Sequence, residues 1–379
     1  MTASSIYLDY NATTPVHSEV LEKMLPYFTI RFGNASSTSH PWGWNAAEGV
    51  AFAREQVAQL IGAEPSEIIF TSGATEAINL ALKGTFETYH AFRNHLVVIT
   101  TEHAAVLDSC QALQKQGAQI TYVPVLQDGT INLDVLSAAV TEKTLLVCVM
   151  MANNETGVLQ PLQEVAAIAH GKGAFLFSDT TQAIGKLRLD VNEACIDLCC
   201  ISAHKMHGPK GVGALYVRRK NPRINLTPIM DGGGHENGRR SGTLNVPGIV
   251  GLGAAAELAM RDWWEDAQRM SVLRTKLEQH LIDLGNVSVN GNTKFRLPNT
   301  SNICFQGFSA ATLLRILTGI GVSTGSACAS ALGHPSHVLL AMGRTIEDAN
   351  SSLRISIGKF TTAHEITLVA DAFERALKN

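Results

Sequence analysis

Between positions 67 and 219, short apolar runs alternate with stretches of helical periodicity. Residues 68–70 precede a helical pattern over 76–83, 96–99 precede 104–115, and 120–124 precede 133–140. The alternation continues through 144–150, 162–170, 174–177, 198–201 and 212–217. Strands and helices in this rhythm predict an α/β architecture with a mainly parallel sheet between helical layers. Such a sheet is buried on both faces, which accounts for uninterrupted runs such as Leu145-Leu146-Val147-Cys148-Val149-Met150. Cys148, Cys199 and Cys200 fall in these runs and are expected as inert core residues. Upstream, Ala47, Val50, Ala53, Val57, Leu60 and Ile61 mark a packing helix that stops at Gly62. Downstream, a glycine-rich stretch from Gly232 to Gly242 gives way to helical patterns over 251–284. Leu353-Arg354-Ile355-Ser356-Ile357 alternates apolar and polar positions like a half-buried strand, and Thr362-Ala363-His364-Glu365 forms a capping box for a last helix. The C-terminal third is therefore expected to be a smaller α+β lobe.

Length supports the division. A chain of 379 residues, 45% hydrophobic and 17% charged, buries a large core and exceeds the roughly 250–300 residues at which single cores stop growing. The formal net charge of −3 and the lack of a long Lys/Arg run argue against a nucleic-acid groove or an anionic membrane surface. The N-terminus carries no basic region followed by an apolar stretch, and no window approaches the ~20 apolar residues of a membrane span, so a cytoplasmic enzyme is expected. Seven cysteines without CxxC spacing argue against a disulfide framework and a zinc site.

In open parallel sheets ligands bind beyond the carboxyl ends of the strands, so the polar residues following each apolar run are the candidates for chemistry. Thr71-Ser72-Gly73-Ala74-Thr75-Glu76 opens a helix and can offer backbone N–H groups to a phosphate, or simply cap it. His103 stands immediately before a helix, as a cap or as a ring-stacking, proton-moving group. Asn153-Asn154-Glu155-Thr156-Gly157 reads equally as a turn. Asp179, with Gln182 behind it, is either a helix N-cap or a partner for a pyridine nitrogen. Lys205, in Ser202-Ala203-His204-Lys205-Met206-His207-Gly208, follows an apolar run and enters a glycine-containing turn. Partial desolvation there favours a nucleophilic amine able to hold a carbonyl cofactor, against the plain alternative of a surface lysine beside a turn. An acid, a ring partner, an anion cradle and a lysine on one predicted edge together favour a phosphorylated aldehyde, pyridoxal phosphate. Ser326-Ala327-Cys328-Ala329-Ser330 sets a cysteine among small residues, unlike Cys304 between Ile303 and Phe305. Arg354 is either a surface charge or a bidentate grip for a carboxylate.

Together these residues resemble the cysteine desulfurases of the NifS/IscS type, within the class V aminotransferases and their aspartate aminotransferase-like fold. The resemblance runs from Tyr7-Leu8-Asp9-Tyr10-Asn11-Ala12-Thr13-Thr14-Pro15 through Gly33-Asn34-Ala35-Ser36-Ser37 to the lysine motif. It continues through Arg240-Ser241-Gly242-Thr243, Gly325-Ser326-Ala327-Cys328 and Arg354-Ile355-Ser356. It implies a large pyridoxal-phosphate domain over 15–250, with a mainly parallel seven-stranded sheet, and a small domain of 1–14 and 251–379 that carries the cysteine loop. Lys205 would hold the cofactor, Asp179 pair with its ring nitrogen, Gln182 contact its ring oxygen and His103 stack on the ring and carry a proton. Ala74, Thr75, Ser202 and His204 would hold the phosphate, joined by Thr243 from the second subunit of a homodimer. Asn154 lies beside the cofactor and, with Arg354, would bind the substrate carboxylate. Cys328 would take sulfur from L-cysteine as a persulfide, leaving L-alanine.

The stretch 329–337 resembles the longer loop of the NifS/IscS group, so delivery to an acceptor protein is expected, either an iron–sulfur scaffold or a carrier for tRNA or DNA thiolation. The chain stops at Asn379 without the additional tail of many relatives, which leaves the acceptor open. No stable metal site is implied, although Cys328 as a transient cluster ligand stays open. The alternatives are a selenocysteine lyase or another class V aminotransferase, in which Cys328 is incidental, and a non-catalytic carrier that kept the fold.

Overall fold

A computed structural model of the chain describes residues 5–325 and 334–378. Its centre is a seven-stranded sheet of β2 (Ile68–Thr71), β3 (His95–Ile99), β4 (Gln119–Val123), β5 (Thr144–Cys148), β6 (Phe175–Asp179), β7 (Leu198–Ser202) and β8 (Gly213–Val217). The strand order is β2-β8-β7-β6-β5-β3-β4, and only β8 runs against the others. The sequence pattern located every one of these strands, with ends displaced by one or two residues. Burial on both faces is the reason the pattern was so plain: Leu145, Leu146, Val147 and Cys148 are all at most 1% exposed.

Helices cover both faces. On one, α3 (Pro41–Leu60) and the start of α8 (Val246–Asp283) bury Val50, Val57, Ile249 and Leu252 against Phe70, Val97 and Ile201. On the other, α4 (Ala74–Tyr89) and α5 (Ala104–Gln114) set Ile78, Leu82, Val106 and Leu113 against Ile69, Val98 and Phe177. The packing helix expected from 47 to 61 starts earlier, at Pro41, because Pro fits the first helical turn and His40 accepts the Gly43 N–H.

A separate apolar cluster surrounds the three-stranded antiparallel sheet of β9 (Val287–Val289), β10 (Thr300–Phe305) and β12 (Ser352–Ser356). Its helices are the far end of α8, through Met270, Leu273, Leu277 and Leu281, and the C-terminal helix Ala363–Lys378, through Ile366, Val369 and Phe373. Thr362 and Glu365 form the expected capping box, each side chain accepting the other's backbone N–H. The chain's beginning joins this lobe, since β1 (Ile6–Tyr7) pairs with β11 (Ile320–Gly321). One expectation is corrected here: β12 is not half-buried. Every residue of Ser352–Ser356 is buried, because residues 9–11 and 154 cover the face on which Arg354 lies. Among the described residues no helix is long and apolar enough to cross a membrane.

Candidate active site

Strands β2, β6 and β7 end at the same edge of the sheet, where a cavity of about 460 Å³ opens. Ala74, Thr75, His103, Asn154, Asp179 and Gln182 all line it, and so do Ser202, His204, Lys205 and Arg354. Ten of the residues singled out from sequence therefore converge on one space. Thr243 does not line it: its side chain is exposed, in the stretch leading to α8. Cys328 lies outside the described residues.

Lys205 ends a single 3-10 turn after β7, and its Nζ donates to the backbone carbonyls of Asn11 (2.5 Å) and Ala12 (2.8 Å). The segment from Asn11 to Thr14 is fastened to this turn. Thr14 N–H donates to the His204 carbonyl, and the Thr14 hydroxyl oxygen accepts the His207 N–H. The His204 imidazole is pushed down to about 4 by burial and by the nearby Lys205, Lys210 and Lys186, so it is neutral at pH 7.

Asp179, the last residue of β6, is 7% exposed. Its Oδ1 accepts the Thr181 N–H (2.9 Å) and the Cys200 S–H (3.3 Å), and among the described residues no cation pairs with it. The N-cap reading is corrected, since no helix follows β6 and the contact with Thr181 only closes a turn; the carboxylate lines the cavity instead. His103 does two things: Nδ1 accepts the Ala105 N–H (3.1 Å) at the start of α5, while the ring lines the cavity. A nitrogen that accepts from a backbone N–H carries no proton, so the neutral ring is protonated at Nε2.

At the mouth of α4 the sequence leaves room for an anion. Gly73 has φ of +154°, a Cβ there would touch nothing within 4 Å, and its own position offers no side-chain cap to the helix. The opposite close approach is made by Gly213 in β8, where a Cβ would come within 2.7 Å of the Gly73 Cα. Behind the turn, Glu76 accepts the Ser72 N–H (2.7 Å) and pairs with Arg240 (2.7 Å), which keeps its carboxylate ionised. Among the described residues no acceptor meets the N–H groups of Ala74 and Thr75, which line the cavity at a helix start that favours negative charge.

Arg354 is 1% exposed. Nη2 pairs with Asp9 Oδ1 (2.6 Å), Nη1 donates to the Asn154 carbonyl (3.0 Å), and Nε is buried without an acceptor. It is therefore no surface charge. Two residues escaped sequence reasoning. Asn11 joins the two lobes through Thr300 Oγ1 and the Asn154 carbonyl, and its own carbonyl accepts from both Lys205 and Gln182. Lys186 is buried behind Gln182. The signal for Lys186 was its place four residues after Gln182, in a run of small and apolar residues where a charged side chain needs a reason.

A sheet edge bearing an amine, a buried carboxylate without a cation and an anion-ready helix start defines a cofactor-dependent α/β enzyme. The comparisons specify which. Residues 6–369 match the aminotransferase class-V family. The chain is 51% identical over 364 residues to a protein named cysteine desulfurase IscS from Anaeromyxobacter sp. (strain Fw109-5), covering 95% of this chain and 89% of that one. A solved structure titled NifS-like protein superposes with a TM-score of 0.92 at 38% identity, over 99% of each chain. A second, titled SspA in complex with cysteine, gives 0.83 at 34%, over 94% of this chain and 100% of that one. The chain belongs to the aminotransferase class-V family, among its NifS/IscS-type cysteine desulfurases, which are pyridoxal-phosphate enzymes. The cavity fits that cofactor: its wall carries an amine for an aldehyde, a buried carboxylate awaiting a cationic ring nitrogen, and free N–H groups for a phosphate.

Proposed function

We propose that this protein converts L-cysteine to L-alanine with pyridoxal phosphate bound at Lys205, and that Cys328 receives the sulfur as a persulfide. The observation that carries the reading is one cavity bounded by Lys205 at the end of β7 and by Asp179, a buried carboxylate with no cation among the described residues. The bound cofactor supplies a carbonyl that condenses with amines and a ring that accepts electrons from Cα.

The residues divide the remaining work. Lys205 would hold the cofactor through its aldehyde and would supply a base beside the substrate Cα. Asp179 keeps a proton on the ring nitrogen, and Gln182 donates to the ring oxygen. The N–H groups of Ala74 and Thr75, with Ser202 and neutral His204, hold the phosphate. Arg354 and Asn154 would bind the substrate carboxylate; in support, both line the cavity. His103, whose Nδ1 accepts the Ala105 N–H, would face the cofactor ring and would return a proton to the carbon framework of the product. Cys328 Sγ bonds to the substrate sulfur as the C–S bond breaks, so a thiol and cysteine become a persulfide and alanine.

A homodimer completes the phosphate site through Thr243 of the partner subunit. In support, Leu25, Phe28, Ile30, Phe32, Trp42 and Trp44 are each more than half exposed, a density of bare apolar side chains that a monomer rarely carries. Sulfur then passes to an acceptor protein, an iron–sulfur scaffold or a thiolation carrier. The large and small domains, 15–250 and 1–14 with 251–379, meet around the cavity, with Asn11 between them.

Single-turnover incubation with L-cysteine tests the reading, following the visible cofactor band, alanine, and mass added to the peptide containing Cys328. Alanine together with one sulfur on that peptide is expected. Cofactor turnover without sulfur on Cys328, and full activity of Cys328→Ser, would make the protein a transaminase or lyase instead.

A further inference from the structure

Lys186 is a buried lysine in direct contact with the cavity wall, and the reaction outlined above gives it nothing to do. It lies in the turns that connect β6 to β7, and its Nζ donates to two atoms of one residue, the Gln182 carbonyl (2.9 Å) and the Gln182 side-chain oxygen (3.3 Å). A lysine only donates, so the Gln182 atom facing it must be oxygen, and the amide NH2 must point the other way. There Nε2 donates to the Asn11 carbonyl (3.0 Å), which also accepts from Lys205 Nζ (2.5 Å). An unbroken hydrogen-bonded path thus runs from Lys186 through Gln182 and the Asn11 carbonyl to Lys205.

The surroundings of Lys186 are cationic. Lys205 and Arg354 act on it directly, and it acts in turn on His204 and His207 in the Lys205 turn. Among the described residues no carboxylate forms an ion pair with it. Burial, Lys205 and Arg354 together bring it down to about 7 from its ordinary 10.5. A structural lysine in a turn between strands has no reason to be placed without a carboxylate beside two other cations, where burial of its charge is costly.

We infer that Lys186 is a positioning residue, which fixes the Gln182 amide with its NH2 toward the cavity and, by its charge, disfavours a proton on the Lys205 nitrogen. This rests on the reading of Lys205 as the cofactor-bearing lysine. A neutral Lys205 nitrogen is the form that exchanges readily with, and takes a proton from, the incoming amino acid, so Lys186 would keep that form populated at neutral pH.

The test is a pH titration of the visible cofactor band in wild type, Lys186→Met and Lys186→Arg. Removing a positive charge makes the Lys205 nitrogen easier to protonate, so the Lys186→Met midpoint is expected to move upward by about half a unit to one unit. Lys186→Arg, which keeps charge and donors, is expected to titrate within a few tenths of a unit of wild type. A purely structural lysine would lower stability without moving the midpoint, so an unchanged midpoint in folded Lys186→Met overturns the inference. If Lys186→Met does not fold, Lys186→Gln takes its place; if neither neutral variant folds while Lys186→Arg does, the role is structural and the inference falls. A wild-type protein that binds pyridoxal phosphate with no titrating band removes the underlying reading of Lys205 instead.

Discussion

Arg354 shows how much a single side chain is asked to hold. It answers the carboxylate of Asp9, the carbonyl of Asn154 and, in the proposed reaction, the carboxylate of the substrate. Lysine keeps the charge and loses the fork, so Arg354→Lys is expected to raise the KM for L-cysteine about tenfold or more while the cofactor band stays in place. Steady-state kinetics beside absorbance spectra check the split. His207 makes a different prediction. Its Nδ1–H donates to the Pro15 carbonyl (3.1 Å), and burial, with Lys359 and Lys186 nearby, pushes the imidazole from 6.5 down to about 4. Below about 6.5 the unfolded chain binds a proton that the folded one refuses. His207 therefore contributes its full stability above that pH and loses it progressively on acidification toward 4. Thermal unfolding of the cofactor-free protein should show a falling Tm across this window, with a shallower fall in His207→Gln. Lys205 and Asp179 were legible in the sequence because each stands within a few residues of the end of a continuous apolar run, and strand ends are where open sheets bind ligands. Asn11 was not, since its role depends on Gln182 and Thr300, residues 171 and 289 positions away in the chain.

At the scale of elements, the stretch from Gly232 to Gly242 reads from sequence only as glycine-rich and polar, yet its middle is fixed to the sheet. Glu236 adopts φ of 51° and Asn237 φ of 56°, left-handed positions that a flexible loop would leave to glycine. Glu236 repays this with a carboxylate, 7% exposed as a residue, that takes Arg54 through both oxygens (2.6 and 2.8 Å) and the Phe70 N–H of β2 (2.8 Å). The loop leading to Thr243 is thus pinned to the sheet's outer strand and to α3. Arg54→Ala would strand a buried acid, and a loss of about 2–4 kcal/mol in urea unfolding is expected, below the fully buried case because the Arg54 side chain is 20% exposed. The strand pattern of β12 misled for a related reason. Alternation of apolar and polar residues ordinarily marks one wet face, but here the polar face meets Asp9, Asn11 and the Asn154 carbonyl of other segments. Periodicity reports which face is polar; it does not report what covers it.

At the scale of the whole molecule, the two apolar cores are joined by α8, whose 38 residues reach from the large sheet to the small one. The proposed boundary at 250/251 falls inside this helix, so the domains share a continuous strut. Trp42 and Phe32, both exposed, stand in the surface proposed to meet a second copy. Charges placed there, as in Phe32→Glu with Trp42→Glu, are expected to convert the proposed dimer to a monomer in size-exclusion chromatography and to weaken phosphate retention, since Thr243 would no longer reach the cavity proposed for it.

The sheet itself has a consequence for a protein that handles sulfur. Cys148, Cys199 and Cys200 are fully enclosed; burial pushes Cys199 up to about 12 and Cys200 well above the ordinary thiol range, and the hydrogen bond with Cys110, with burial, does the same to Cys148. A thiol of that kind is almost never a thiolate at neutral pH, and only the thiolate exchanges with a persulfide. Several sulfur atoms sit in strands beside or beneath the cavity, yet they form no ladder along which cargo could wander inward. The same apolar packing that makes the strands easy to read from sequence insulates the core against the protein's own product, and confines sulfur traffic to the surface from which an acceptor can collect it.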